Sequence, residues 1–203
     1  MNKQASTDDL ESVCKFLFEI GSLKNTPRSG WFKVGVENPE SVAEHSFRTA
    51  IIGFVLACLE GIEPKKVSTY CLFHDLPEAR TSDLDWLAQK YLTEKENQQG
   101  ESVLKDQLQY LPDKITDQFT ESLCTNKTMS DEVKEVSRDA DLLETVLQAI
   151  EYERSGHAEA RGWASSSIEL LSTETGTRIG RYLRDKMAEG STGELHRWWE
   201  SDT

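Results

Sequence analysis

The chain has 203 residues, of which 37% are hydrophobic and 29% charged, a balance that suits one folded domain and excludes a disordered polymer. Its formal net charge is −13 at pH 7 and its pI about 4.8, with no run of Lys and Arg, so a nucleic-acid polymer would be repelled. A small phosphorylated ligand stays compatible, because one cation and one or two basic side chains can set the local field against the global one.

In chain order, Ser6-Thr7-Asp8-Asp9 has the residues of a helix start, and Leu10, Val13, Cys14, Leu17 and Ile20 follow at helical spacing until Gly21 stops the segment. Residues 22–39 hold Pro27, Gly30, Gly35 and Pro39 and predict a long irregular loop, a kind of segment that is often functional in a compact domain. Ser41-Val42-Ala43-Glu44 fits a capping box, which puts His45 in the first turns of a second helix. Phe47, Ala50, Ile51, Phe54, Val55 and Cys58 continue that helix as an apolar stripe to Gly61. Pro64, suited to a first helical position, opens a third helix through Val67, Tyr70 and Cys71 that ends near His74-Asp75 and Pro77.

Further helices are predicted around 83–91, 95–111 and 112–123, the middle one polar enough to lie mostly in solvent. From Ser130 or Asp131 to about Arg154, the positions Val133, Val136, Ala140, Leu143, Leu147 and Ile150 repeat at helical spacing and make a long helix that ends near Gly156. Two more helices, roughly 158–171 and 177–187, precede a polar tail whose Trp198 and Trp199 could dock on the body or on another subunit. With no internal repeat and almost no strand-like alternation, the reading is an all-α fold.

Cys14, Cys58, Cys71 and Cys124 lie in apolar helical stretches without paired spacing, so they read as reduced core thiols, not as a disulfide framework or a zinc knuckle. The segment MNKQASTDDLESV is too polar for a signal peptide, and no apolar run approaches the roughly 18 residues of a membrane span. The expected setting is the cytoplasm, with no membrane partner.

The chemistry concentrates in His74-Asp75 at a helix end, His45 early in the preceding helix, and an aspartate far downstream in a third helix. Two imidazoles and two carboxylates suit a borderline or hard divalent ion such as Mn²⁺, Co²⁺, Fe²⁺ or Mg²⁺. Four protein ligands leave positions for a water and a phosphoryl oxygen, the parts needed to hydrolyse a phosphate ester. Periodicity leaves the downstream ligand open between Asp139 and Asp141, with Asp139 closer to the apolar stripe.

The segments SVAEHSFRTA, CLFHDLPEARTSDL and RDADLLETVLQAIEYE resemble the HD-domain metal-dependent phosphohydrolases, and closely resemble their 5′-deoxynucleotidase branch, over residues 10–156. The resemblance implies a helical HD core at about 7–156 within one domain spanning 1–203, with 157–203 forming additional C-terminal helices. It implies that His45, His74, Asp75 and Asp141 bind one divalent metal, the Ala140-Asp141-Leu142 stretch favouring Asp141. In the similar enzymes the glutamate matching Glu78 positions or activates the attacking water, and Asp83 matches another active-site acid. By sequence position alone, Asp83 also suits the cap of the following helix.

Thr26-Pro27-Arg28-Ser29-Gly30-Trp31 looks like the family's substrate segment, in which Arg28 would grip phosphate and Trp31 would offer a flat wall to sugar or base, without room for a 2′-hydroxyl. Glu144, one turn beyond Asp141, could support the site or lie on a solvated face. The implied activity is release of phosphate from deoxynucleoside 5′-monophosphates by a water activated on the metal, in a homodimer. The alternatives are another HD phosphohydrolase, either a phosphodiesterase or a nucleotide pyrophosphohydrolase, and a non-catalytic metal-binding signalling domain.

Overall fold

Helix α1, Thr7–Gly21, begins where the Ser6 hydroxyl accepts from the Asp9 amide and the Asp9 carboxylate accepts from the Ser6 amide, a reciprocal cap that satisfies two exposed donors. The computed structural model describes residues 6–91, 99–123 and 130–197. The α-helix ends at Gly21, as expected, but without a left-handed turn. The glycine keeps a helical backbone, and the chain tightens into a 3₁₀ turn at Ser22–Asn25. The predicted irregular loop is more ordered than its Pro and Gly content implies, because a second 3₁₀ helix, Ser29–Val34, forms inside it and closes at Gly35 (φ 77°). The amide of Arg28 donates to Glu40 O (2.9 Å) and that of Val42 to Thr26 O (2.8 Å), so the two ends of the loop are tied beside each other.

Helix α2, Val42–Glu60, starts at the expected Ser41 and Glu44 box and ends at Gly61 (φ 72°). It runs beside α3, Pro64–Phe73, and the long α8, Asp131–Arg154, whose start is capped by Ser130. Leu56, Ala57, Val67, Cys71, Val136 and Ala140 form the centre of the core between these three helices. A side chain at Gly53 would meet Cys71 Sγ at 2.9 Å, so the glycine is what lets α2 and α3 approach so closely. With 19 residues and a mean hydropathy of 1.4, α2 is long and apolar enough to cross a membrane, contrary to the expectation that no apolar run reaches that length. In this fold its inner face is packed against α3 and α8.

The short α4, Glu78–Thr81, and α5, Trp86–Gln89, bridge to α6, Gln99–Leu108, and α7, Asp113–Leu123. Asp85, not Asp83, caps α5 by accepting from the Leu87 and Ala88 amides. Helix α6 is less solvated than predicted, since Leu104 and Leu108 pack with Leu111, Phe16 of α1 and Phe119 of α7. Helices α9, Ala160–Glu169, and α10, Glu174–Glu189, cover α8 from the other side, with α11, Thr192–Leu195, last. Thr173 caps α10, which therefore starts earlier than its apolar pattern indicated. Cys71 is buried, but Cys14 and Cys58 are exposed on the outer faces of their helices, so they are not core thiols. Cys124, Trp198 and Trp199 lie outside the described residues.

Candidate metal centre and substrate pocket

His45 stands one turn into α2, fixed there by the capping box, and is fully buried. His74 forms the C-terminal cap of α3, Asp75 follows it, and Asp141 comes from the middle of α8. The three elements bring these groups together. His45 Nε2 lies 3.0 Å from Asp141 Oδ1 and 3.7 Å from Asp75 Oδ2, while His74 Nε2 lies 3.3 Å from Asp75 Oδ2. His45, His74 and Asp141 each offer a ligand atom within 4.8 Å of the others.

Both imidazoles are oriented from behind. His45 Nδ1 donates to Glu144 (2.6 Å) and His74 Nδ1 to the Cys71 carbonyl (2.7 Å), so each Nε2 points into the shared space. Asp75 Oδ2 is buried between the two Nε2 atoms without a hydrogen-bond partner. An orphaned carboxylate oxygen facing two oriented imidazoles is a donor set that fits a divalent cation. A second grouping, Glu40, His45 and Glu144, fits one poorly, because Glu144 is taken by His45 and Arg48 and Glu40 accepts from Trp31 Nε1.

Asp139 and Asp141, two positions apart on one helix, face nearly opposite ways. Asp139 is buried against the turn between α9 and α10, where it accepts from the Thr173 amide (2.8 Å), the Thr173 hydroxyl (2.7 Å) and the Ser172 amide (3.1 Å). Periodicity was right that Asp139 is the more enclosed, yet its role is to hold that turn. Desolvation would raise the Asp141 pKa, but the hydrogen bond and charge of His45, with His74 and Arg28, hold it well below the usual carboxylate range. Burial and Arg28 oppose protonation of His45, and its bonds to Asp141 and Glu144 outweigh them, lifting it to about 10.

The centre forms the floor of an open cavity of about 260 Å³. Arg28 reaches in from the second 3₁₀ helix, its Nη1 donating to Asp83 Oδ1 (3.0 Å) and its Nη2 lying 4.0 Å from Asp141. Burial would weaken its charge, and the surrounding Asp83, Asp141, Asp75 and Glu78 reinforce it. Asp83 also accepts from the Ser29 amide (2.6 Å), so it pins the Arg28 segment over the floor. The preceding residue, Ser82, has a positive φ of 61°, a strained conformation for a side-chain-bearing residue, and it turns Asp83 inward. Glu78 Oε2 is buried without a hydrogen bond, and burial, then Asp75 and Asp83, push its carboxyl up to about 8.

Trp31 is almost completely enclosed, with its ring on Tyr152 and Trp163 and its Nε1 donating to Glu40 (3.0 Å). It contributes to the cavity lining while enclosed, instead of standing free as a wall. The more open indoles beside the cavity are Trp163 on α9 and Trp86 on α5.

A family model for the HD domain matches residues 20–181. The chain belongs to the HD-domain family. Among relatives, a Mus musculus protein named 5′-deoxynucleotidase HDDC2 is 30% identical over 149 residues, covering 73% of this chain and 74% of its own. A Schizosaccharomyces pombe protein named 5′-deoxynucleotidase hdd1 is 27% identical over 152 residues, covering 73% and 76%. Among solved structures, a predicted coding region from Archaeoglobus fulgidus is 35% identical with a TM-score of 0.61 over 87% of this chain and 95% of that one. A predicted metal-dependent phosphohydrolase from Magnetospirillum magnetotacticum, at 20% identity and TM-score 0.60 over 90% and 92%, shares the fold.

The HD-domain pair itself, His74-Asp75, was readable as a motif, and so was the Arg28 segment. Glu144 was left between supporting the site and a solvated face, and Trp163 and Trp86 were not singled out. Glu144 carried a signal, since it lies one turn from Asp141 and must share part of its face. Trp163 and Trp86 gave none, because only packing brings α9 and α5 beside the metal centre.

Proposed function

We propose that this HD-domain protein is a metal-dependent phosphohydrolase that converts deoxynucleoside 5′-monophosphates to nucleoside and phosphate. The observation that carries this reading is the convergence of His45, His74, Asp75 and Asp141 at a cavity that is also lined by the half-buried Arg28. These four residues would hold one divalent ion, of the Mn, Co, Fe or Mg class. Such an ion, when bound, neutralises phosphoryl charge and lowers the pKa of a coordinated water.

The chain's own residues supply the rest. Arg28 presents a fork to phosphate oxygens, and Asp83 keeps it aimed by occupying its outer edge. Glu78, with its raised pKa and unpaired buried oxygen, is a group that can take up a proton near neutral pH. The cavity lining divides between charged groups, among them Arg28, His74, Asp75 and Asp141, and the largely apolar side chains of Trp163, Trp86 and Leu84. A ligand with a phosphate at one end and a flat, partly apolar ring system at the other matches that division. The names of the curated relatives support a deoxynucleotide in particular.

The test is phosphate release, with and without added Mn²⁺, from deoxyribo- and ribonucleoside 5′-monophosphates, 3′-monophosphates, cyclic nucleotides and triphosphates. Release should be metal-dependent and fastest with deoxynucleoside 5′-monophosphates. Turnover only of cyclic nucleotides or triphosphates would instead support a phosphodiesterase or pyrophosphohydrolase. No turnover of any ester by metal-bound protein would favour a signalling domain.

A homodimer belongs to the same reading. The outer face of α2 exposes Phe47, Ile51, Phe54, Val55, Cys58 and Leu59 in one stripe. Two copies of a chain carrying −13 repel wherever charge is displayed, and this stripe is a surface on which they could meet without that cost.

A further inference from the structure

Behind His45 runs a chain of polar groups that never reaches the cavity. His45 Nδ1 donates to Glu144 Oε2 at 2.6 Å, with both side chains fully enclosed. Glu144 Oε1 accepts from Arg48 Nε (2.9 Å) and Nη2 (2.7 Å), so both carboxylate oxygens are engaged. Arg48 directs its other N–H groups to Glu151 (2.9 Å) and to Gln148 Oε1 (2.7 Å).

Glu144, Gln148 and Glu151 occupy successive turns of α8, so one guanidinium from α2 is gripped by one face of the neighbouring helix. His45 and Arg48 lie on adjacent turns of α2, and Asp141 and Glu144 on adjacent turns of α8. The pair that joins the helices therefore sits directly beneath the two groups that must converge on a cation. A buried carboxylate costs stability unless it is paired, and the guanidinium supplies that pairing without competing for the imidazole.

We propose that Glu144 and Arg48 are positioning residues for the metal: Arg48 clamps Glu144, and Glu144 holds the His45 ring with Nε2 turned to the cation. This rests on the metal-centre reading above. The carboxylate fixes which ring nitrogen carries a proton and how the ring is rotated, and such partners commonly change metal affinity by about 10–100-fold when removed.

The test uses full-length protein stripped of metal, with Mn²⁺ as the probe, titration calorimetry for affinity, and thermal unfolding of the metal-free protein alongside. Glu144→Gln should weaken Mn²⁺ binding by about 10–100-fold. The Mn²⁺ concentration for half-maximal phosphate release should rise by the same factor, with turnover recovered at saturating Mn²⁺. Arg48→Lys, which keeps the charge and loses the fork, should fall between the parent and Arg48→Met. Asp139→Asn is the comparator. It weakens a buried carboxylate that only holds the α9–α10 turn, so it should lower the unfolding temperature and leave Mn²⁺ affinity at the parent value.

Glu144→Gln binding Mn²⁺ as tightly as the parent overturns the proposal, and so does an equal loss of affinity in Asp139→Asn. Should Glu144→Gln fail to fold, the Arg48 variants decide, and unchanged affinity in folded Arg48→Met overturns it. A parent that takes up no Mn²⁺ overturns the metal-centre reading and this inference together, a result distinct from a tight-binding parent whose variants bind equally well.

Discussion

Glu78 carries its cost in the open, as a buried carboxyl with an unpaired oxygen and two acidic neighbours. Its folded pKa, about 8, exceeds the ordinary 4.5, so its contribution to stability is present in full below about pH 4.5 and is lost as pH rises through 8. Metal-free Glu78→Gln should therefore unfold at the parent's temperature in acid and at a higher temperature at about pH 9, each 1 kcal/mol being worth about 2–4 °C. The same substitution should reduce turnover by about 10²–10⁴-fold if the carboxyl handles a proton. Calorimetric scans across the pH range check the first part, and a difference that does not vary with pH would contradict it. At this scale the sequence was informative about residue types and less so about partners. It offered Asp139 and Asp141 as rivals, and only the turn between α9 and α10, which claims Asp139, separates them. It likewise left Asp83 between cap and site, and only the structure gives the cap to Asp85 and Asp83 to the Arg28 segment.

Elements whose ends are written in local chemistry came out where expected. The caps at Ser6, Ser41 and Ser130, and the stop at Gly61, depend on contacts within a turn or two of the helix end. The 22–39 segment did not, since its order comes from distant residues, through the hydrogen bond of Ser29 to Asp83 and the packing of Trp31 on Tyr152. One close approach fixes how that segment meets α9. A side chain at Gly30 would place Cβ against the Trp163 ring, closer than van der Waals contact allows, so Gly30→Ala must displace the indole. We expect that change to cost about 1–3 kcal/mol as overpacking. It should also raise KM for a nucleotide more than it lowers kcat, because Trp163 lines the cavity and contributes no ligand atom to the metal centre. Thermal unfolding and steady-state kinetics on one preparation check both, and an unchanged KM would remove Trp163 from the binding wall.

For the whole molecule, the candidate ligand set joins α2, the end of α3 and α8, the three helices that enclose the core. A cation bound there favours the folded chain alone, so Mn²⁺ at 100 times its dissociation constant should add about 2.7 kcal/mol. Removing it with a chelator should reverse the gain, as a lower unfolding temperature in calorimetry. The exposed stripe on α2 carries the other prediction at this scale. Sizing by light scattering should give twice the chain mass, and Phe47→Glu with Ile51→Glu should return the monomer. Both side chains are more than half exposed, so the folded chain should tolerate the change. A monomeric parent would leave the stripe without this partner.

Read alone, the chain disclosed its helical class, the capped helix starts at Ser6, Ser41 and Ser130, and the candidate metal-binding residue types, because periodicity, caps and motif chemistry act over a few residues. Helix packing is what buries Glu144 against His45, joins α2 to α8 through Arg48, and brings an enclosed Trp31 and a more open Trp163 to the cavity. Those facts depend on how helices far apart in the chain pack, and no local pattern encodes which face of one will meet which face of another.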